Sequence, residues 1–169
     1  MQIWNKMLAV AFAAITLVWG PLRAEELPAP AGEVLLTVSG QITNTNVGDT
    51  AQFDRAALEA MGMVDIVTKS PWYDDRMTFT GVPVSVLLEK VGAHGTQMTV
   101  TALNDYEVKI PLEDADTGVI LAMKLNGRDM SVREKGPIFI IYPYSSSERL
   151  RAQTYYARSS WQVSRIEIR

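Results

Sequence analysis

The sequence predicts an α+β domain in which mixed β-sheets are accompanied by a few short helices. Three observations support this prediction. About seven short runs are rich in apolar and β-branched residues, two other stretches repeat apolar residues at helical spacing, and Gly, Pro or Asn-Asp pairs mark most boundaries. The 169 residues include no cysteine. Disulfides, thiolate catalysis and thiolate ligation of a metal are therefore excluded, and packing must stabilise the fold.

The N-terminal residues have the layout of a secretory signal. Lys6 precedes an apolar run over residues 7–19, and the small Ala24 stands where a signal peptidase cleaves. Because this run is shorter than the roughly 20 apolar residues that span a bilayer, we predict a signal peptide over residues 1–24, with a retained anchor as the alternative. Export places the protein in the periplasm or outside the cell. The Pro- and Ala-rich residues 25–32 predict a flexible leader, followed by a single domain over 33–169.

The first half of the domain is predicted as extended segments separated by two helices. Residues 34–38 are apolar and β-branched, as in a strand. Asp54 is a suitable N-cap for a helix over residues 55–61. Pro83 opens a second helix over residues 84–91, which a glycine follows. The remaining extended segments are residues 64–68 and 77–82.

The second half is predicted to be mostly strands. Residues 98–103 and 106–110 alternate apolar and polar side chains around Asn104-Asp105, a pattern typical of a β-hairpin. Further strands are predicted at residues 119–125, 138–142 and 161–168, with a single helical turn at 145–151.

Charge is distributed unevenly along the predicted mature chain. Residues 25–169 carry 14 Lys and Arg against 19 Asp and Glu, a net charge of −5. Residues 25–127 have a net charge of −9, and residues 128–169 a net charge of +4. The overall acidity argues against nucleic-acid binding. The basic C-terminal quarter indicates either a local anion site or only solvated strands.

Most catalytic templates are missing from the sequence. The single histidine, His94, lies in a turn-like Gly-Ala-His-Gly segment, and one histidine provides neither a zinc site nor a supported catalytic triad. No glycine pattern of a phosphate loop or dinucleotide site is present. Turn formation and solubility account for the acidic residues Asp74-Asp75 and 113–116.

Arginines and aromatic residues alternate in the C-terminal quarter. The arginine fork suits carboxylate or phosphate, and aromatic rings provide stacking surfaces, so this composition suits a planar anionic ligand. The alternative is an edge strand and loop whose arginines lie over aromatic neighbours. The residues concerned are Tyr142, Tyr144, Tyr155, Tyr156 and Trp161 with Arg149, Arg151, Arg158 and Arg165.

The order of short motifs along the chain resembles the molybdopterin-binding domain of the sulfite oxidase family, in a short, single-domain, exported form. The resemblance covers nearly the whole chain after the leader. In order, the motifs are Ser39-Gly40, Phe53-Asp54, Val67-Thr68-Lys69-Ser70-Pro71-Trp72, Phe79-Thr80-Gly81-Val82-Pro83, Asn104-Asp105-Tyr106, Leu125-Asn126-Gly127, Gly136-Pro137-Ile138, Tyr142-Pro143 and the last strand from Trp161.

The resemblance implies mixed sheets around a pterin pocket and redox chemistry at molybdenum. The family ties the metal to the protein through one cysteine, and the matching position here is Thr68. A threonine hydroxyl is a hard, neutral group that cannot replace a soft thiolate. The only local substitutes for the residues that grip the pterin phosphate are Arg149, Arg151 and Arg158.

Three functions follow as hypotheses. The first is a periplasmic domain that has lost molybdenum ligation and acts as a small-ligand-binding or sensory module, holding an anionic or heterocyclic ligand and reporting to a membrane-bound signalling or redox partner. The second is an oxidoreductase that binds molybdopterin without a protein thiolate, and the third is a purely structural interaction module. The candidate ligand-binding residues are Thr68, Trp72, Tyr106, Arg149, Arg151, Tyr155 and Arg158.

Overall fold

The computed structural model describes residues 27–169, and the predicted signal peptide lies outside the described residues. Over this range the chain forms ten β-strands and three α-helices. The strands are β1 Val34–Gly40, β2 Ala51–Asp54, β3 Val64–Ser70, β4 Tyr73–Pro83, β5 Gln97–Ala102, β6 Glu107–Pro111, β7 Ile120–Leu125, β8 Arg128–Asp129, β9 Phe139–Ile141 and β10 Val163–Ile168. The helices are α1 Arg55–Glu59, α2 Val84–Val91 and α3 Gln153–Arg158.

The strands form two five-stranded sheets. The first sheet has the order β2-β1-β10-β5-β6, in which β1 and β10 are parallel and the other pairs are antiparallel. The second has the order β3-β4-β7-β8, all antiparallel, and β9 also pairs with β7. Apolar side chains of both sheets and of α2 belong to one hydrophobic core. The predicted α+β class with mixed sheets is confirmed.

The two helices predicted from capping residues are both present. The Asp54 carboxylate accepts a hydrogen bond from the Ala57 N–H at 2.8 Å and thereby caps α1. The second helix has the predicted bounds and ends at Gly92, whose φ of 61° is left-handed. A Cβ at Gly92 would lie 1.9 Å from the Thr43 hydroxyl, so both backbone conformation and space require glycine here.

Several elements differ from the sequence prediction, and three of them do so for identifiable reasons. The four-residue β2 is too short to show periodicity and is defined by its pairing with β1. Helix α3 buries none of its residues, so it has no apolar stripe that a pattern could reveal. The predicted helical turn at residues 145–151 is two 3₁₀ turns, Tyr144–Ser146 and Arg149–Arg151.

The described part of the predicted leader contacts the domain. Leu27 is buried, and the N–H groups of Ala31 and Gly32 both donate to the Asp54 carboxylate at 2.8 Å. The Asn46 side chain also donates to the Pro28 carbonyl at 2.8 Å. Within residues 27–169, no helix has the length and apolarity needed to cross a bilayer.

Candidate functional site

Thr68, the position that matches the family's metal-binding cysteine, is buried at the end of β3. Its side chain faces the 3₁₀ turn Tyr144–Ser146 and is only 1 % exposed. The hydroxyl oxygen accepts a hydrogen bond from the Ser145 N–H at 2.9 Å and lies 3.1 Å from the Ser145 hydroxyl. The Ser145 hydroxyl in turn accepts from the Lys69 N–H at 3.1 Å. The Thr68 hydroxyl is thus occupied in joining two segments that are distant in sequence.

Four aromatic residues line a cleft of about 470 Å³, which we call the aromatic cleft. Trp72 comes from the turn between β3 and β4, Tyr106 from the β5–β6 hairpin, Tyr156 from α3, and Trp161 precedes β10. Trp72 makes edge-type contacts with the Tyr156 ring at 6.2 Å and the Trp161 ring at 6.3 Å between centroids. Turns and loops position Trp72, Tyr106 and Trp161, as is common for binding sites on a rigid scaffold, and a short helix positions Tyr156.

The polar groups of the aromatic cleft are uncharged. Asn104, Gln153, Ser159 and Ser160 contribute amide and hydroxyl groups, and no Lys, Arg, Asp or Glu is among the described residues that line the cleft. The Ser159 hydroxyl hydrogen-bonds to the Tyr144 hydroxyl at 2.6 Å. The buried Ser160 hydroxyl has no hydrogen-bond partner within residues 27–169, which is unusual for a buried polar atom.

A second cleft, of about 420 Å³, contains two of the predicted arginines, and we call it the arginine cleft. Arg149 and Arg158 line it, and both guanidinium groups lie over the Tyr155 ring, with the Cζ atoms at 5.8 and 5.6 Å from its centroid. Glu113 and Asp114 also line this cleft, so cations and carboxylates face each other across it. Helix α3 contributes Tyr155 to the arginine cleft and the next residue to the aromatic cleft.

A buried hydrogen-bond network lies beneath the arginine cleft. Asp114 is 3 % exposed and accepts a hydrogen bond from the Tyr142 hydroxyl at 2.7 Å. The Arg158 Nη1 atom donates to both carboxylate oxygens of Asp114, at 2.9 and 3.0 Å. The interpretation of residues 113–116 as turn formation and solubility is wrong for Asp114, because the fold brings a tyrosine and an arginine to it from far along the chain.

Two buried tyrosines beside these clefts have perturbed acidity. Burial, with the hydrogen bond to Asp114 as the next cause, raises the pKa of Tyr142 far above its usual value. Burial likewise raises the pKa of Tyr144. Both phenols therefore remain neutral donors throughout the physiological range.

The seven predicted ligand-binding residues do not form one site. Only Trp72 and Tyr106 line the aromatic cleft. The arginine cleft is lined by Arg149, Tyr155 and Arg158. Thr68 lines neither cleft, and Arg151 is exposed on the surface. The roles of these residues in binding stay predictions.

Other cleft residues were missed by the sequence prediction. Tyr156 and Trp161 were part of the C-terminal aromatic series but were not selected as ligand-binding residues, and Ser160 was not considered. No local signal distinguishes Tyr156 from Tyr155, because the two face different clefts only once α3 has formed.

Metal ligands do not cluster in the described residues. No group of three or more His, Asp or Glu side chains within residues 27–169 has the geometry to hold a metal ion. His94 is exposed, and its Nδ1 atom lies 3.2 Å from the Gly92 carbonyl oxygen. Its placement agrees with the prediction of a solvated turn histidine.

Comparison with known proteins identifies the family of the fold. The family model described as the oxidoreductase molybdopterin binding domain matches residues 41–149. The crystal structure of the sulfane dehydrogenase SoxCD from Paracoccus pantotrophus is similar, with a TM-score of 0.56, 18 % identity and coverage of 79 % of this chain. The aligned part is 37 % of that longer chain. No curated protein sequence matches. These findings confirm the resemblance predicted from the motif order.

Proposed function

The chain belongs to the family of oxidoreductase molybdopterin-binding domains, and from that premise we propose that it is a small-ligand-binding module that does not hold molybdenum through the protein. The observation that supports this most directly is the hydrogen bonding of the buried Thr68 hydroxyl. The chain contains no cysteine at all, and the residue at the matching position has its hydroxyl hydrogen-bonded to Ser145 in the protein interior.

The donor groups at this position do not fit a metal that needs a thiolate. Thr68 offers a neutral oxygen, and this oxygen already accepts the Ser145 N–H at 2.9 Å. Ligation by Thr68 would require loss of that hydrogen bond and deprotonation of an alcohol with a high pKa, whereas soft metal sites in proteins select thiolate sulfur. The Ser145 side chain, which is hydrogen-bonded to it, provides no softer donor.

The distribution of positive charge also supports a changed ligand. An anionic cofactor needs cations that reach its phosphate, yet the aromatic cleft has no cation among its described lining residues. In the arginine cleft, Arg158 is already paired with Asp114 at 2.9 Å, and the second arginine, Arg149, shares the lining with Glu113. The small ligand is therefore held by rings and neutral polar groups more than by charge.

Metal analysis tests the proposal directly. The chain would be purified from its native host, with molybdenum cofactor synthesis active, and its molybdenum content measured by inductively coupled plasma mass spectrometry. We expect far less than one atom per chain. A molybdoenzyme purified in parallel from the same cells controls for cofactor supply. About one molybdenum atom per chain would refute the proposal and favour the oxidoreductase that binds its cofactor without a protein thiolate.

We further propose that the module works after export, in the periplasm or outside the cell, and passes information to a membrane-bound signalling or redox partner. The predicted signal sequence supports this placement. N-terminal mass spectrometry of protein from the periplasmic fraction should give a mature chain that begins at Glu25. Retention of the protein in the cytoplasm would contradict export, and uncleaved protein in the membrane fraction would favour the anchor.

A further inference from the structure

We propose that the aromatic cleft binds an uncharged, planar heteroaromatic compound, stacked on its aromatic side chains and hydrogen-bonded by its amides and hydroxyls. This inference deepens the proposed function and rests on it, because it names the ligand class of the binding module. It stands on three features of the same cleft: its rings, its neutral polar groups and its lack of charge.

The rings of the cleft leave a large aromatic surface in water. Tyr106 is 55 % exposed and Trp161 is 41 % exposed. The Trp161 and Tyr156 rings stand at 77° and 88° to Trp72, so the ring planes bounding the cleft differ in direction. A flat ligand that covers these side chains removes apolar surface from water and gains ring–ring contacts. A cleft of about 470 Å³ accommodates a fused two- or three-ring system.

The polar groups match the edge of a heteroaromatic ring. The side chains of Asn104 and Gln153 each provide both a donor and an acceptor. Ser160 is 3 % exposed, and its hydroxyl has no partner within the described residues. A buried polar atom without a partner is unfavourable. Because Ser160 lines the cleft, a rotation of its side chain toward the cleft would let the hydroxyl donate to a ring nitrogen or carbonyl of a ligand.

Charge in and around the cleft disfavours ionic ligands. No ionisable side chain other than tyrosine is among the described lining residues, so a phosphate or carboxylate placed here would lose water without gaining a counter-ion from those residues. The Lys135 ammonium lies 5.5 Å from the centroid of Trp161. It lies over one face of that ring, so a cationic ligand such as a quaternary ammonium would meet a like charge there.

The cleft also depends on residues outside the segment that the family model matches. Tyr156, Ser160 and Trp161 follow residue 149, where that match ends. The cleft is therefore formed partly by the matched segment and partly by residues that follow it.

Calorimetric titration with four probes tests the ligand class. Lumichrome and riboflavin present an uncharged fused ring, FMN adds a phosphate to the same ring, and choline tests a cation. We expect saturable binding of the two uncharged probes, no gain in affinity for FMN over riboflavin, and no choline binding. Both tryptophans of the described residues line the cleft, so their fluorescence should be quenched at the same ligand concentrations. The inference is overturned if neither uncharged probe binds, if FMN binds more than tenfold tighter than riboflavin, or if choline binds tighter than lumichrome.

Matched variants test whether the ligand binds in this cleft. Tyr106→Ala should weaken lumichrome binding at least about fivefold, since ring stacking on an aromatic side chain contributes at least about 1 kcal/mol. Leu103→Ala, on the same hairpin and 52 % exposed, should leave the affinity unchanged. Gln153→Ala should also weaken binding, and its neighbour Thr154→Ala, which faces the arginine cleft, should not. Equal effects within each pair would place the ligand elsewhere and overturn the inference.

The two proposals fail in different ways. A chain that lacks molybdenum and also fails to bind the uncharged rings overturns only the ligand class. A chain with about one molybdenum atom overturns the binding-module proposal, whatever the titrations give.

Discussion

Replacing Arg158 by methionine should destabilise the domain through Asp114. Asp114 is 3 % exposed, and the arginine donates to both of its carboxylate oxygens at 2.9 and 3.0 Å. Methionine keeps much of the apolar stem but removes the charge and the donors. The carboxylate would retain the Tyr142 hydroxyl at 2.7 Å as its neutral donor.

The expected magnitude follows from the exposure of the two partners. Loss of one partner of a fully buried ion pair costs about 3–5 kcal/mol, and a hydrogen bond to a charged group contributes about 1.5–3 kcal/mol. The Arg158 side chain is 22 % exposed, so water from the arginine cleft can solvate part of the uncovered carboxylate. We therefore expect the free energy of unfolding to fall by about 2–3 kcal/mol. In a domain of this size, the melting temperature should fall by roughly 6–12 °C.

Urea unfolding at pH 7, followed by circular dichroism, measures this change. Arg151→Met is the matched control, because Arg151 is exposed on the surface and should change stability by less than about 0.5 kcal/mol. Combining Arg158→Met with Asp114→Asn should recover part of the loss, since the buried carboxylate is then absent. Equal stabilities for the Arg158 and Arg151 variants, or strict additivity in the double variant, would refute the reasoning.

Two further predictions concern buried hydroxyl groups. Because burial raises the pKa of Tyr142 and of Tyr144, the folded state retains their protons above pH 10 while the unfolded state loses them. Stability should therefore be unaffected by these groups below about pH 10 and fall above it, by up to about 1.4 kcal/mol per pH unit for each tyrosine. If an alkaline titration showed that phenolate absorbance reaches its full value while the protein is still folded, this prediction would be contradicted. Thr68→Val should lower stability by about 1–3 kcal/mol, because it leaves Ser145 without its buried partner. The exposed Thr96→Val serves as control, and equal melting temperatures would argue against the Thr68 junction.

The elements with strong local signals were predictable from the sequence. Helix α2 has the predicted bounds because Pro83 fixes φ at its start and Gly92 readily adopts the left-handed conformation that ends it. The hairpin of β5 and β6 was predicted from alternation around Asn104-Asp105, since period-two patterning and turn residues act over a few positions. The α+β class and the family follow from the order of such local features.

The arrangement of the site was decided by tertiary structure. Tyr155 and Tyr156 are adjacent and chemically alike, and α3 directs them to different clefts. The Asp114 carboxylate looked like one of several surface acids until the fold placed Tyr142 and Arg158 against it.

Absence of cysteine is a property of composition, so the sequence alone determined that no protein thiolate can hold a metal. Which groups surround Thr68 instead depends on a contact 77 residues away along the chain. Such long-range contacts leave no local pattern, because they form only when separate segments pack together.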